Sequence, residues 1–277
     1  LYFVANDGQS GRELWKSDGS EAGTVRVQDI NPDGNYSDPR WLETFGDALY
    51  FTADDGQHGR TLWKSDGTAD GTVLVKEIYP RDFGWFSRSG PEFTELGGYL
   101  FFAANDNQTG IELWRTDGTE AGTVLVKDIT APADPGSWSD PQGLQVIGED
   151  LYFSASDPEH GRELWKSDGT AQGTVLVRDI NPNGDGLLPS SGWYGYSRPT
   201  VRTPLGDRLL FAANDGQTGL ELWSTDGSEA GTVLVKDLTA PADPYSWSDP
   251  QQLVVADGQL YFSAWNPAQG RELWRSD

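Results

Sequence analysis

Cysteine and methionine are both absent from this 277-residue sequence, and His58 and His160 are its two histidines. Without thiols there is no disulfide, no thiolate nucleophile and no Cys-ligated zinc. Two imidazoles are too few for a multi-histidine metal centre. No apolar run reaches the length of a membrane span, and no secretory segment is visible. Because methionine is missing, Leu1 is not a natural translation start, and the chain reads as a processed product or an excerpt of a longer one. Basic residues are scarce: 20 Lys and Arg stand against 43 Asp and Glu, for a net charge of −23. Nucleic acid and anionic membrane both need a positive face, so neither is expected as a partner. The acid excess suits a soluble secreted protein and equally suits cation binding.

What the sequence does contain is aromatic and turn-forming. There are 12 Trp, 10 Tyr, 11 Phe and 34 Gly, a composition that points to an all-β protein rather than to disorder. The phrase "GRELWKSDGSEAGTVRVQDI" at 11–30 returns as "GRTLWKSDGTADGTVLVKEI" and "GIELWRTDGTEAGTVLVKDI", then twice more, and is cut off as "GRELWRSD" at Asp277. Its Trp falls at 15, 63, 114, 165, 223 and 274, while an "LYF"-type landmark starts at 1, 49, 100, 151, 209 and 260. Both landmarks keep the same intervals, so the length variation lies after the "VLVKDI" segment.

Each unit holds four strand-like segments, seen over residues 41–78 as "WLETFG", "ALYFTAD", "RTLWKSD" and "TVLVKEI". Gly-rich loops join them, as hairpins require. Longer, variable crossovers then lead to the next unit. Four-stranded units of about 40–50 residues in tandem are the mark of a β-propeller, with a linear β-solenoid as the competing repeat fold. The fold expected is a single all-β propeller domain over 1–277 with four-stranded antiparallel blades. Units three and four resemble five and six as a pair, which gives six blades with pseudo-threefold pairing; five is the alternative count. The six repeated Trp side chains are expected in the layers between blades.

The stretches "ELWKSDGT", "ELWRTDGT" and "TLWKSDGT", followed by "AGTVLVKDI", resemble the bacterial ELWxxDGT repeat, and the resemblance spans the whole chain. The blade pattern is also kelch-like, without the double glycine of a kelch unit. The resemblance implies an extracellular or cell-surface bacterial repeat protein, and it implies no reaction.

Three residue sets are candidates for function. Asp7, Asp55, Asp106, Asp157 and Asp215 end the second strand of successive units; with the crossover acids Asp38, Asp140 and Asp249 they are candidate calcium ligands, because hard cations take six to eight oxygens. The competing reading makes them turn formers. Asp18, Asp66, Asp117, Asp168 and Asp226, in the "SDGT" turns, read as turn caps. The crossovers carry aromatics: Tyr36, Trp41, Trp85, Phe86, Trp138, Trp193, Tyr194, Tyr196, Tyr245 and Trp247. Rings flanked by Asp, Asn and Ser suit carbohydrate, and Trp and Tyr also anchor protein interfaces; the alternative is that they lie over the blade edge as lids. A glycosidase or lyase is the enzyme alternative, but no carboxylate pair departs from the repeat, and the two histidines sit in ordinary loops. The function expected is therefore non-catalytic: a structural or adhesive surface module binding itself or a partner protein, with a lectin-like glycan binder as the second reading. Calcium is the one cofactor considered.

Overall fold

The computed structural model describes residues 1–32, 36–80, 90–131, 138–187, 202–239 and 247–277. Among these there is no helix, and 23 strands form six antiparallel sheets. The chain divides into two compact units, 1–125 and 126–277; the division falls inside the last strand of the third sheet, Val124–Lys127. No helix is long and apolar enough to cross a membrane.

The second sheet shows the repeat in full. Its strands Arg40–Phe45, Ala48–Asp54, Arg60–Ser65 and Val73–Lys76 pair in chain order, close to the segments read from the sequence. The fourth and fifth sheets repeat this meander, and the first and sixth have three strands each. In the third sheet a short additional strand, Tyr79–Pro80, pairs with the far end of Tyr99–Asn105. The register is the same in all six sheets: the Phe of the "LYF" landmark stands opposite the Trp of the "LW" landmark. The pairs are Phe3 with Trp15, Phe51 with Trp63, Phe102 with Trp114, Phe153 with Trp165, Phe211 with Trp223, and Phe262 with Trp274.

Adjacent sheets within each unit pack face to face through these residues. Leu14 of the first sheet meets Phe51 and Trp63 of the second, and Leu62 of the second meets Phe102 and Trp114 of the third. In the other unit, Leu164 of the fourth sheet meets Phe211 and Trp223 of the fifth, and Leu222 meets Phe262 of the sixth. Trp63, Trp114, Trp165 and Trp223 are buried, as expected for core, whereas Trp15 and Trp274 are half-buried. One meander cannot cover both of its faces, so its neighbours supply the missing layer. The basic residue closing "VLVK" ties neighbouring sheets together. Lys76 Nζ donates to the Thr123 carbonyl at 2.8 Å and lies 5.9 Å from the Trp114 ring centre. Lys127 and Arg178 do the same at Thr174 with Trp165, and at Thr232 with Trp223.

The "SDGTxxGT" turn is a closed set of side-chain bonds, repeated five times. In the second sheet, Asp66 Oδ1 accepts from the Thr68 N–H and hydroxyl at 2.8 and 2.7 Å, and Thr68 Oγ1 accepts from the Gly71 N–H. Thr72 donates to the Thr68 carbonyl and shares a bond with Ser65. A Cβ on Gly71 would lie 2.1 Å from Asp66 Oδ1, which explains the glycine. Asp18, Asp117, Asp168 and Asp226 make the same pair of bonds to Ser20, Thr119, Thr170 and Ser228. These five aspartates are turn caps.

Candidate functional site

In an antiparallel meander, alternate loops leave the sheet at the same end. The second-to-third-strand loops therefore share an end with the crossovers, and the "SDGT" turns lie at the other.

The first candidate set falls at the crossover end. Asp7 Oδ1 accepts from the Gln9 and Ser10 N–H groups and the Ser10 hydroxyl at 2.8–2.9 Å. Asp106 and Asp215 make the same bonds to Gln108 and Thr109, and to Gln217 and Thr218. At Asp55 and Asp157 a histidine takes the hydroxyl's place: His58 Nδ1 and His160 Nδ1 lie 2.7 and 2.8 Å from the carboxylates. These bonds, and then the adjacent negative charge, push both imidazoles up from 6.5. All five aspartates close their own loops.

The crossover acids are placed with arginine. Asp38 Oδ2 lies 2.6 Å from Arg40 and 3.4 Å from Arg60, while its Oδ1 lies 3.3 Å from Arg12. Asp140 faces Arg162 at 3.3 Å, and Asp249 faces Arg271 at 2.9 Å. All three aspartates hold positive φ, near 46°, within "SDP". Among the described residues no group of three or more His, Asp or Glu is placed to hold a metal. The eight acids expected as calcium ligands are thus not drawn into such a group; each carboxylate meets a turn N–H or a guanidinium of its own chain.

Acid sensitivity follows from the turn caps. The Ser10 and Gln9 N–H groups hold Asp7 down from 3.8 to about 2, and the capped hydroxyl is the leading cause holding Asp18, Asp66, Asp117 and Asp226 below their ordinary value. A depressed folded pKa contributes stability that is present above the unfolded value and lost as pH falls through the folded one. Thermal midpoints are therefore expected to fall steeply from pH 4 towards pH 2, and a flat profile there would contradict the capping role.

The sequence reading missed the Glu of "ELW". Glu13, Glu112, Glu163 and Glu221 are fully buried, and Glu13, Glu163 and Glu221 hold the crossover that comes next. Glu13 accepts from the Ile30 and Ser37 N–H groups and, at 2.6 Å, from the Ser37 hydroxyl. Glu221 accepts from Leu238 N–H, Thr239 Oγ1 and, at 2.6 Å, Ser248 Oγ. Glu163 accepts from the Asn181 and Gly186 N–H groups at 3.1 and 2.9 Å. The signal was present in the repeat, because Glu recurs at this position in every unit but the second, which carries Thr61.

The aromatic set divides. Trp85, Phe86, Trp193, Tyr194, Tyr196 and Tyr245 lie outside the described residues. Tyr36, Trp138 and Trp247 occupy one equivalent position, immediately before the "SDP" triplet, and are 58%, 54% and 43% exposed. Trp41, by contrast, is half-buried, with its Nε1 enclosed and its ring against Gly90.

At the opposite end, a groove of about 600 Å³ between the second and third sheets is lined by Phe45, Tyr50, Lys64, Asp70 and Asp117 among others. Lys64 donates to the Gly118 carbonyl and Asp117 caps its turn, so its central polar groups are spent on the fold.

No protein-family model and no curated protein sequence matches the chain. Solved structures do match. Prolyl oligopeptidase B from Galerina marginata, bound to a 35mer hydrolysis and macrocyclization substrate, is similar with a TM-score of 0.50 and 13% identity, over 100% of this chain and 40% of the peptidase. The likeness is one of fold. A puromycin-hydrolyzing peptidase of Mycobacterium tuberculosis gives 0.44 and 14%, covering 100% of this chain and 43% of that one. The computationally designed Ika8 protein gives 0.43 and 13%, covering 98% and 69%. The chain spans about two fifths of the length of the peptidases it matches.

Proposed function

We propose that the chain is a non-catalytic binding module, a β-propeller of six blades, whose crossover end holds glycan at a bacterial cell surface. The six repeated sheets, their layer-by-layer packing and the fold-level likeness to the peptidase support the propeller. The ELWxxDGT resemblance supports the extracellular setting and an adhesive role.

The observation that carries the glycan reading is the ring exposed at one position in three repeats. A sugar stacks its C–H face on the electron-rich face of such a ring. Its hydroxyls then need donors and acceptors close by, and an Asp–Arg pair stands next to each ring: Asp38 with Arg60, Asp140 with Arg162, Asp249 with Arg271. The net charge of −23 disfavours polyanions, so the ligand class is a neutral glycan.

A glycan array probed with the wild type and with Trp138→Ala/Trp247→Ala tests this. Binding is expected to neutral oligosaccharides and to be lost in the double variant. Both residues are surface positions, so the variant's unfolding midpoint should match the wild type within about 0.5 kcal/mol per substitution. An array with no neutral-glycan signal from the wild type, or undiminished binding by the variant, would overturn the reading.

A further inference from the structure

Within each unit, a sheet presents the same face to the sheet that follows it. Leu14, Leu62, Leu164 and Leu222 lie on that face and are buried against the Phe and Trp of the next sheet. In the sixth sheet the equivalent residue is Leu273, which is 75% exposed. It shares its face with Val254, Tyr261 and Trp265, which the register places on neighbouring rungs. Trp265 stands where the other sheets carry Asn6, Asp54, Asn105, Ser156 and Asn214. Val254 stands where they carry Glu43, Thr94, Gln145 and Thr203. Trp265 is 37% exposed and Val254 58%. Two polar positions have thus become apolar on the sheet face whose leucine is uncovered. An exposed apolar patch of this kind marks an interaction surface.

The first sheet shows the complementary half. Phe3 and Trp15 are half-buried, whereas Phe51, Phe102 and Phe211, on the rung of Phe3, are fully buried against the leucine of the preceding sheet. The "SDGT" turn of the first sheet is open as well. A Cβ on Gly67, Gly118 or Gly227 would strike the hydroxyl of Tyr2, Tyr50 or Tyr152 in the preceding sheet, but on Gly19 it would meet nothing within 4 Å. The Gly67 and Gly118 carbonyls accept from Lys16 and Lys64 at 2.7 Å. The sixth sheet holds the matching partners on the same rung, Tyr261 and, opposite it, Arg275. The Tyr261 hydroxyl turns instead to Gln259 of its own strand, at 3.2 Å.

We propose that the sixth sheet of one copy packs on the first sheet of a second copy, continuing between chains the layer contact that joins sheets within a chain. Leu273 then meets Phe3 and Trp15, Tyr261 covers Gly19, and Arg275 donates to the Gly19 carbonyl. The occupant follows from the internal contacts, which pair these same residue types across each layer. Trp265 adds an aromatic anchor, the residue type that dominates interfaces. Two different faces meet, so the contact is heterologous and passes from copy to copy rather than stopping at a dimer. The inference does not rest on the glycan reading, since neither Trp138 nor Trp247 lies in a strand of either sheet.

Sedimentation velocity over a wide range of protein concentration tests this, in salt sufficient to screen the net charge of −23. The average mass should climb past that of a dimer as concentration rises. Leu273→Asp on one face and Ala5→Lys, beside Phe3 on the other, should each weaken association at least about tenfold. Leu273 is exposed and Ala5 half-buried, so both variants should unfold at the wild-type midpoint by circular dichroism. Mixed together, they should pair as a heterodimer and grow no further, because each keeps one intact face. The proposal is overturned if the wild type stays monomeric at every concentration. That is the result if its own first sheet covers Leu273, and Leu273→Asp would then lower the unfolding midpoint. It is equally overturned if association survives Leu273→Asp, or if the mixed variants fail to pair, which would show that like faces meet.

Discussion

Phe211→Ala is expected to destabilise the unit 126–277 by about 3–5 kcal/mol, the range for deleting a fully buried aromatic side chain. Phe211 is fully buried, stands opposite Trp223 on the adjacent strand, and packs with Tyr152 and Leu164 of the preceding sheet. The gap opens between two sheets whose strands are pinned on both sides by hydrogen bonds, so neither can collapse to fill it. Urea unfolding should show a lower midpoint with an unchanged slope, because the surface exposed on unfolding is nearly the same. A loss below about 1 kcal/mol would mean that the layer between the fourth and fifth sheets is not close-packed. Phe51→Ala, at the equivalent position opposite Trp63 in the other unit, should behave alike.

The second large effect is expected at Gly118. Its φ is +90°, and a Cβ would lie 2.1 Å from the Tyr50 hydroxyl oxygen of the preceding sheet. Gly118→Ala therefore combines backbone strain of about 1–3 kcal/mol with a similar cost for displacing Tyr50, a buried ring with little room to move. Lys64 donates to the Gly118 carbonyl at 2.7 Å, so a shifted turn also loosens that tie between sheets. Gly46→Ala is the control: its φ is +58° and nothing lies within 4 Å of the added carbon. Differential scanning calorimetry should give the larger drop for Gly118→Ala. Equal drops would show that the approach of Tyr50 contributes nothing.

Much of the fold was legible because the repeat reports its own rules. Two landmarks moving in step located the strands, and the "SDGT" aspartates were recognisable as caps because Asp-Gly followed by Ser or Thr offers a carboxylate, a hydroxyl and a permissive backbone together. What was not legible involves charge between distant segments. The "ELW" Glu carries no role in the sequence reading, yet Glu13, Glu163 and Glu221 are buried and hold the crossover that follows. The "SDP" acids, grouped with Asp7 and its equivalents as candidate calcium ligands, each stand beside an arginine that the sequence reading did not pair with them. A comparison of repeats could have shown the pairing. Arg60, Arg162 and Arg271 open the third strand where "SDP" precedes the sheet, and Ile111 and Leu220 stand there where it does not. The burial of Glu163 without its serine needed coordinates, since only they place Gly186 against the carboxylate.

The proposed function divides labour between the two ends of the sheets: the "SDGT" end would build the fold, and the crossover end would hold the ligand. Surface plasmon resonance on an immobilised neutral glycan, comparing Trp138→Ala/Trp247→Ala with Asp47→Ala/Asp70→Ala at the opposite end, tests it most directly. The first variant should lose at least tenfold in affinity, and the second should bind as the wild type does. Loss of binding in the Asp47/Asp70 variant with retention in the tryptophan variant would contradict the account.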